Sequence, residues 1–260
     1  MSRSKLSDAF KGGKAFIPFI TGGDPSLDVT ETLLLRLADA GADIIEIGIP
    51  FSDPTAEGPV IQAADERALG AGCTTEKLFG LVGRVRGKIK VPLLFMTYYN
   101  PVYVYGAVPF TQRCREVGID GLIVPDLPFE ERAELLGPCQ DAGIELISMI
   151  APTSEDRTLS IAKASSGFLY CVSSLGVTGE RKTIGNAAAE MIAAAKTVTD
   201  TPCAVGFGIS DARQAKETAR FADGVIVGSA LVKIVGQYGA ASPAPVYRFA
   251  KAIKDAIRQK

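Results

Sequence analysis

The stretch AGADIIEIGI, residues 40–49, contains a pattern that recurs along the chain. A helical pattern ends at Ala40, a glycine and an acid follow, and an apolar run then begins. A glycine at this position fits a left-handed helix stop, so the stretch predicts a helix, a turn and a buried strand. The same order of glycine, apolar residue and acid recurs as VGID at 117–120 and AGIE at 142–145. The recurrence predicts a repeated strand–helix unit.

Short apolar runs recur along the whole chain, and most are continuous rather than alternating, as in strands buried on both faces of a parallel sheet. The eight runs cover residues 14–21, 42–49, 91–98, 119–126, 144–151, 167–173, 202–208 and 223–230. Helical patterns cover residues 27–40, 108–117, 129–142 and 187–198, and extra helices are predicted at 4–11 and 245–260. This order predicts an α/β fold, a (β/α)₈ TIM barrel, with a doubly wound open sheet as the alternative. Since no linker divides the chain, we expect one domain over residues 1–260.

Composition excludes several classes of function. The net charge is −1 with no long basic run, so nucleic-acid binding is not expected. The chain has no histidine, and its five cysteines form no CxxC pair, so we predict reduced thiols and no metal site. No run of about 18 apolar residues exists and the N terminus lacks a signal-peptide core, so we expect a cytoplasmic protein without a membrane span.

Glycine-rich loops follow the last three apolar runs, where barrels often bind phosphate with backbone amides and a helix N terminus. The phosphate candidates are Gly179, Gly208, Gly228 and Ser229. The competing interpretation is that these glycines only form tight turns. The long polar loop 173–186 is interpreted as a lid over the phosphate end of the site, with a plain exposed loop as the alternative.

Proton transfer near neutral pH must use another residue type in a chain without histidine. Glu46 lies among isoleucines near the C-terminal end of the second run, where burial would raise its pKa toward the working range. The alternative is a buried ion pair with a lysine or arginine. Asp53 and Glu57 follow in the next loop, and for Asp53 turn formation before Pro54 is the favoured interpretation.

Aromatic and polar side chains at other strand ends suit a flat, partly apolar substrate. They are Phe19, Tyr98, Tyr99, Asn100, Asp126 and Tyr170, and for Phe19 core packing is at least as strong an interpretation.

Seven segments stand in an order that closely resembles the tryptophan synthase alpha-subunit family. They are PFITGGDP (18–25), IEIGIPFSDPTAEGPVIQ (45–62), YYNP (98–101), VPDLPFEE (124–131), GVTG (176–179), GFGIS (206–210) and VGSALVK (227–233). The resemblance implies a (β/α)₈ barrel that cleaves indole-3-glycerol phosphate to indole and glyceraldehyde 3-phosphate by a retro-aldol reaction. It implies no cofactor in this chain, and as partner a beta subunit that binds pyridoxal phosphate, in an alpha-beta-beta-alpha heterotetramer. The loops around Asp53–Pro54 and Tyr98–Pro101 would face that partner.

The resemblance also assigns roles to individual residues. Glu46 matches the catalytic general acid/base, position 57 matches the residue that binds the indole N–H, and Tyr170 matches a site tyrosine. Phe19 matches an indole-packing residue. Gly179, Gly208, Gly228 and Ser229 match the phosphate site. Tyr98 and Thr178 complete the predicted substrate-binding set.

One position departs from the family pattern, because Glu57 stands where the family has aspartate. A carboxylate displaced by about 1 Å can cost about 100-fold in rate. An alternative is therefore a weakly active or inactive alpha-type subunit that mainly binds and activates the beta subunit. A third reading, another phosphate-binding barrel such as an isomerase or aldolase, is disfavoured for Schiff-base chemistry because no run ends in lysine.

Overall fold

A computed structural model describes residues 6–152, 154–172, 184–206 and 208–258 of the chain. Nine parallel strand segments lie in a single sheet. They are β1 (Ala15–Thr21), β2 (Ile45–Gly48), β3 (Leu93–Met96), β4 (Gly121–Ile123), β5 (Glu145–Leu146), β6 (Ser148–Ile150), β7 (Leu169–Val172), β8 (Cys203–Gly206) and β9 (Gly224–Val227). All eight apolar runs therefore contain a strand, as predicted.

Helices connect the strands. They are α1 (Leu27–Asp39), α2 (Pro59–Gly70), α3 (Thr75–Val85), α4 (Tyr99–Tyr105), α5 (Ala107–Val117), α6 (Ala133–Ala142), α7 (Glu155–Lys163), α8 (Ile184–Lys196), α9 (Ala212–Thr218), α10 (Ser229–Tyr238) and α11 (Pro243–Arg258). The prediction of a helix over 4–11 was wrong in type, since Leu6–Phe10 forms a 3₁₀ turn. The predicted helix 129–142 begins only at Ala133; residues 129–132 form a preceding turn, in which Arg132 stacks over the Phe129 ring. In the described part of the chain, no helix is both long and apolar enough to cross a membrane.

The sheet closes into a barrel through one run of the sequence. Its strand order is β5-β4-β3-β2-β1-β9-β8-β7-β6, so the two edge segments are adjacent in the chain. β5 pairs with β4, and β6, which follows after Ile147, pairs with β7. The run 144–151 thus changes hydrogen-bonding partners midway, which divides the predicted fifth strand into two segments. The (β/α)₈ prediction is confirmed, and the doubly wound alternative is excluded by the closure.

Side chains of each strand alternate between the barrel interior and the helical layer. Ile17, Ile44 and Leu94 belong to the interior cluster, which Leu6 of the 3₁₀ turn joins. Ile45 and Ile47 instead pack in the cluster formed with the surrounding helices. Glu46, between them on the strand, shares the inward side with Ile44. The alternation therefore points one carboxyl group into the barrel.

Acids that precede the strands have a common structural role at the N-terminal end of the barrel. Asp43 accepts a 2.6 Å hydrogen bond from the Phe16 backbone N–H and a 2.5 Å bond from Lys254 Nζ. In the same way, Asp120 accepts from the N–H of Leu93, and Asp223 accepts from the N–H of Cys203. Each acid thereby ties the start of its own strand to a neighbouring strand. The glycines of the repeated motif stop the preceding helices at positive φ, 93° at Gly41, 90° at Gly118 and 70° at Gly143.

Candidate active site

Glu46 is the centre of the site at the C-terminal ends of the strands. Its side chain is fully buried, and neither carboxyl oxygen has a hydrogen-bond partner among the residues that the structure describes. The ion pair considered as an alternative is therefore not found there. Burial without compensation raises the pKa of Glu46 from 4.5 to about 8. At neutral pH this group is a neutral carboxylic acid that is ready to donate a proton.

Two further acids interact with each other at this end of the barrel, and one of them, Glu57, lies near Glu46. Glu57 precedes α2, and its Oε2 atom is buried without a partner among the described residues. Asp65 lies on the buried face of α2, close enough to Glu57 that each acid affects the pKa of the other. Burial raises the pKa of Glu57, the hydrogen bond with Asp65 opposes that rise, and Glu46 adds to it. Burial, followed by the proximity of Glu57, raises the pKa of Asp65 to about 8.

Two hydrogen bonds fix the loop that carries Glu57, one at Ala56 and one at the Glu57 carbonyl. The hydroxyl group of Tyr98 accepts a 2.9 Å hydrogen bond from the Ala56 backbone N–H. Gln62 of α2 donates a 2.8 Å bond to the Glu57 carbonyl. Tyr98, predicted as a substrate contact, therefore anchors the residue next to Glu57. Asp53 is exposed and accepts a hydrogen bond from Ser52, which agrees with the turn interpretation.

Two aromatic rings form the walls of the site, and each packs over a glycine. Phe19 of β1 is in register with Glu46 of β2, and a Cβ atom on Gly48 would approach its ring to 2.7 Å. Tyr170 of β7 covers Gly206, where a Cβ atom would lie 2.6 Å from the tyrosine oxygen. Burial, with Glu46 and then Glu57 nearby, raises the pKa of Tyr170 well above its ordinary value. Glu46 and Glu57 thus lie near Tyr170.

The predicted phosphate end lies next to Phe19. Gly228 precedes α10, and a Cβ atom there would approach the Phe19 ring to 3.3 Å. Ser229 is the first residue of α10 and is exposed, so this helix N terminus opens beside the aromatic wall. Gly208 is exposed and has a φ of 78°, a conformation that favours glycine. Thr178, Gly179 and most of the predicted lid 173–186 lie outside the described residues.

Sequence reasoning missed the acid on α2 and its surroundings. Asp65 sits between Ala64 and Ala68 on the buried helix face, and an acid within such an apolar stripe was the available signal. Arg67, two residues later, binds both oxygens of Asp24 through its Nε and Nη2 atoms at 2.8 Å. Arg67 is therefore paired with Asp24 rather than with Asp65. Among the described residues, no group of three or more histidine, cysteine, aspartate or glutamate residues could hold a metal ion.

The fold and the site together define a class of protein. It is a (β/α)₈ barrel that carries a buried carboxyl group, without a partner among the described residues, at the C-terminal ends of the strands, where barrel active sites lie.

Comparison with known proteins gives the particular family. The family model for the tryptophan synthase alpha chain matches residues 6–258. The tryptophan synthase alpha chain of Lacticaseibacillus casei is 46% identical over 260 residues, which cover 100% of this chain and 98% of that one. The crystal structure of tryptophan synthase subunit alpha from Legionella pneumophila superimposes with a TM-score of 0.90 at 34% identity, over 99% of this chain and 100% of that one. A structure of the Pyrococcus furiosus tryptophan synthase α₂β₂ complex matches with a TM-score of 0.86 at 36% identity, over 94% of this chain and 98% of that one.

The chain belongs to the tryptophan synthase alpha chain family. Its function is the carbon–carbon lyase reaction of tryptophan biosynthesis that cleaves indole-3-glycerol phosphate to indole and glyceraldehyde 3-phosphate. The resemblance stated from the seven sequence segments is confirmed. No observation favours the weakly active alternative.

Proposed function

We propose that Glu46 is the general acid and base of the lyase reaction. The protonated carboxyl group gives its proton to C3 of the indole ring, which places a positive charge on the ring nitrogen. The resulting carboxylate then takes the proton from the hydroxyl group on the adjacent glycerol carbon. As the carbon–carbon bond breaks, its electron pair returns to the ring, so indole and an aldehyde are released and Glu46 regains its proton. The burial of Glu46 without a partner carries this proposal.

Glu57 supplies the second role, which is to accept a hydrogen bond from the indole N–H. Its buried Oε2 atom has no partner among the described residues, and Glu46 lies close enough to affect its pKa. A carboxylate at this position stabilises the positive charge that develops on the ring nitrogen. Tyr170 lies near both acids and is the third residue of the catalytic set.

Substrate binding divides between an aromatic end and a phosphate end. Phe19 packs against the indole ring, since it lies between Glu46 on the neighbouring strand and Gly228 at the start of α10. The backbone amides at Gly228 and Ser229, with the helix dipole of α10, bind the phosphate. Gly208, Thr178 and Gly179 stay predicted members of the substrate-binding set. Tyr98 contributes by holding the loop of Glu57.

The proposed partner is a beta subunit, as in the α₂β₂ complex of Pyrococcus furiosus. The predicted docking face is consistent with the surface, because Asp53 is exposed and Tyr103 and Val104 of α4 are 70% and 77% exposed. Large exposed apolar side chains of this kind are common at interfaces. Pyridoxal phosphate in the beta partner stays a prediction. A cytoplasmic location is also proposed, on the five cysteines without disulfide bonds.

Indole release from indole-3-glycerol phosphate tests the assignment of Glu46. Glu46→Gln should lower kcat by about 10²- to 10⁴-fold, since a general acid–base group contributes this much, while phosphate binding persists. Glu66→Gln, an exposed neutralisation on α2, is the matched control and should leave kcat unchanged. Normal turnover by Glu46→Gln would remove Glu46 from its role.

A further inference from the structure

The barrel sheet is open on one side of its C-terminal half, where the run 144–151 changes hydrogen-bonding partners. A 2.9 Å hydrogen bond from the Ile147 N–H to the Leu122 carbonyl still joins this run to β4. From Ser148 onward the run pairs with β7 instead, and no pairing joins β4 to β6 in the described sheet. A cavity of about 230 Å³ lies at this opening, under the turn 129–132 and against α7.

Apolar side chains form most of the wall of this cavity. Leu146 and Ile150 pack in the clusters formed with the surrounding helices, and Ile161 belongs to α7. The described lining includes neither Glu46 nor Tyr170, so the cavity is separate from the candidate active site. An apolar cavity of about 150 Å³ holds a benzene molecule, so this one has room for a ring and a small polar group.

Arg132 lines the cavity and has an edge of its guanidinium group without a partner. The Cζ atom lies 4.0 Å from the centre of the Phe129 ring, and Nη1 donates a 3.3 Å hydrogen bond to Ser148 Oγ. The ring and the hydroxyl group therefore fix the position of the guanidinium group. Its Nε and Nη2 atoms, which share one edge, have no partner among the described residues. Arg67 uses the same two atoms to bind the Asp24 carboxylate at 2.8 Å.

The acids around Arg132 are bound elsewhere. Glu130 accepts hydrogen bonds of 2.5 and 3.0 Å from Arg157, the other arginine of the cavity wall. Glu134 accepts a 2.8 Å bond from the Tyr99 hydroxyl group. In the described part of the chain no acid forms an ion pair with Arg132, and burial lowers its pKa without an acid to oppose the effect. A half-buried guanidinium group in this state gains from a bound anion.

We propose that the cavity binds a small carboxylate, which pairs with Nε and Nη2 of Arg132 while its aromatic or branched apolar body lies against Ile150 and Ile161. The two parallel donors of the guanidinium edge match the two oxygens of a carboxylate. The apolar walls favour a ligand with one charge and an apolar body. Arg132 and Phe129 also line an open groove on the outer surface, so the cavity is reached from there and not through the candidate active site.

Methyl NMR of the intact chain labelled at isoleucine and titrated with phenylacetate tests the site. The resonances of Ile150 and Ile161, assigned with Ile150→Val and Ile161→Val, should shift with a Kd on the order of 1 mM. Ile61 of α2, which packs beside Phe19, should not shift. Shifts confined to Ile61, or no shift of Ile150 and Ile161 at about 10 mM phenylacetate, would overturn the proposal.

The neutral analogue phenylacetamide tests whether the carboxylate is recognised. It has the same ring but no charge, so it should bind about 10-fold more weakly than phenylacetate. Equal binding of the two compounds would show an apolar cavity that ignores the carboxylate, contrary to the proposal. This comparison uses the parent chain and therefore does not depend on the folding of any variant.

Substitution of Arg132 tests the assigned partner. Arg132→Gln removes the charged edge, so phenylacetate should bind about 10- to 100-fold more weakly. Arg213→Gln, at an exposed arginine of α9 outside the cavity, is the matched control and should bind like the parent. Indole release should stay at the parent rate in both variants, which shows that they are folded. Parent-like binding of phenylacetate by Arg132→Gln would overturn the proposal.

Discussion

The two ends of the barrel use acidic residues in opposite ways. At the N-terminal end, Asp43 is bound by Lys254 and by a backbone amide, and Asp223 is bound by Lys196 and by another amide. At the C-terminal end, Glu46 has no partner among the described residues, and Asp65 meets another carboxyl group rather than a base. Asp43 and Glu46 are only three residues apart, so the same strand has a compensated acid before it and an uncompensated acid within it.

The fold therefore keeps the acids that stabilise the strands apart from the acid that suits proton transfer. A buried acid with a cation and amide donors stabilises the ionised form and ties strands together. A buried acid without them stays neutral at neutral pH, and this destabilises the folded chain once the pH rises. This loss of folding stability is typical of acid–base sites, because the pKa of the catalytic group must lie near the working pH.

The largest expected effect is the pH dependence of stability caused by Glu46. Below pH 4.5 the group is protonated in both the folded and unfolded states, so it contributes no pH dependence. Above that value the unfolded chain releases the proton, while the folded chain retains it until about pH 8. The free energy of unfolding should therefore decline over this interval, by on the order of 4 kcal/mol from this group.

Urea unfolding of the parent and of Glu46→Gln at mildly acidic and mildly alkaline pH measures this contribution. The parent should lose more stability than the variant on going to alkaline pH, since glutamine does not ionise. Equal losses of unfolding free energy in both proteins would show that Glu46 is already ionised at neutral pH. The acids at the two ends of the barrel would then not differ in their protonation.

The second-largest effect is a loss of stability when Asp43, at the N-terminal end of β2, is replaced. Asp43→Asn leaves the ammonium group of Lys254, only 4% exposed as a residue, without its carboxylate. Breaking such a buried pair should cost about 3 kcal/mol, measured as a lower urea midpoint at pH 7. The kcat for indole release by the remaining folded enzyme should not change. If Asp43→Asn kept its stability and lost activity, Asp43 would serve the reaction rather than the stability of the fold, contrary to this account.

A smaller effect is expected for Glu57→Asp. The shorter side chain retracts the carboxylate from Asp65 of α2, so its position and its ionisation both change. We expect kcat for indole release to fall by about 10- to 100-fold. A gain in activity would instead favour the weakly active interpretation of the parent chain. Asp53→Asn, in the exposed part of the same loop, should leave kcat unchanged and serves as the control.

The sequence predicted the barrel because the fold depends on local patterns. Continuous apolar runs identify strands that are buried on both faces, and the repeated glycine stops fix where each unit begins. Glu46 was also predictable, since it interrupts an apolar run near the strand end where barrel active sites lie. The change of hydrogen-bonding partners at Ile147 could not be predicted from the sequence, because it depends on how the first and last parts of the sheet meet in space.

The contacts of the site were less accessible to sequence reasoning. Tyr98 lies 42 positions from Ala56, and only the folded chain shows that its hydroxyl group holds the Glu57 loop. Asp65 was missed because an acid on a helix is usually solvent-exposed. Its burial follows from the packing of α2 against the barrel rather than from its neighbours in the sequence.

The pH dependence of kcat/KM for cleavage of indole-3-glycerol phosphate shows whether Glu46 supplies the proton. If Glu46 must begin the reaction protonated, kcat/KM should be level near neutral pH and fall as the pH passes about 8. A rate that stays level, or rises, to a pH of about 9.5 would contradict the claim that this buried carboxylic acid supplies the proton.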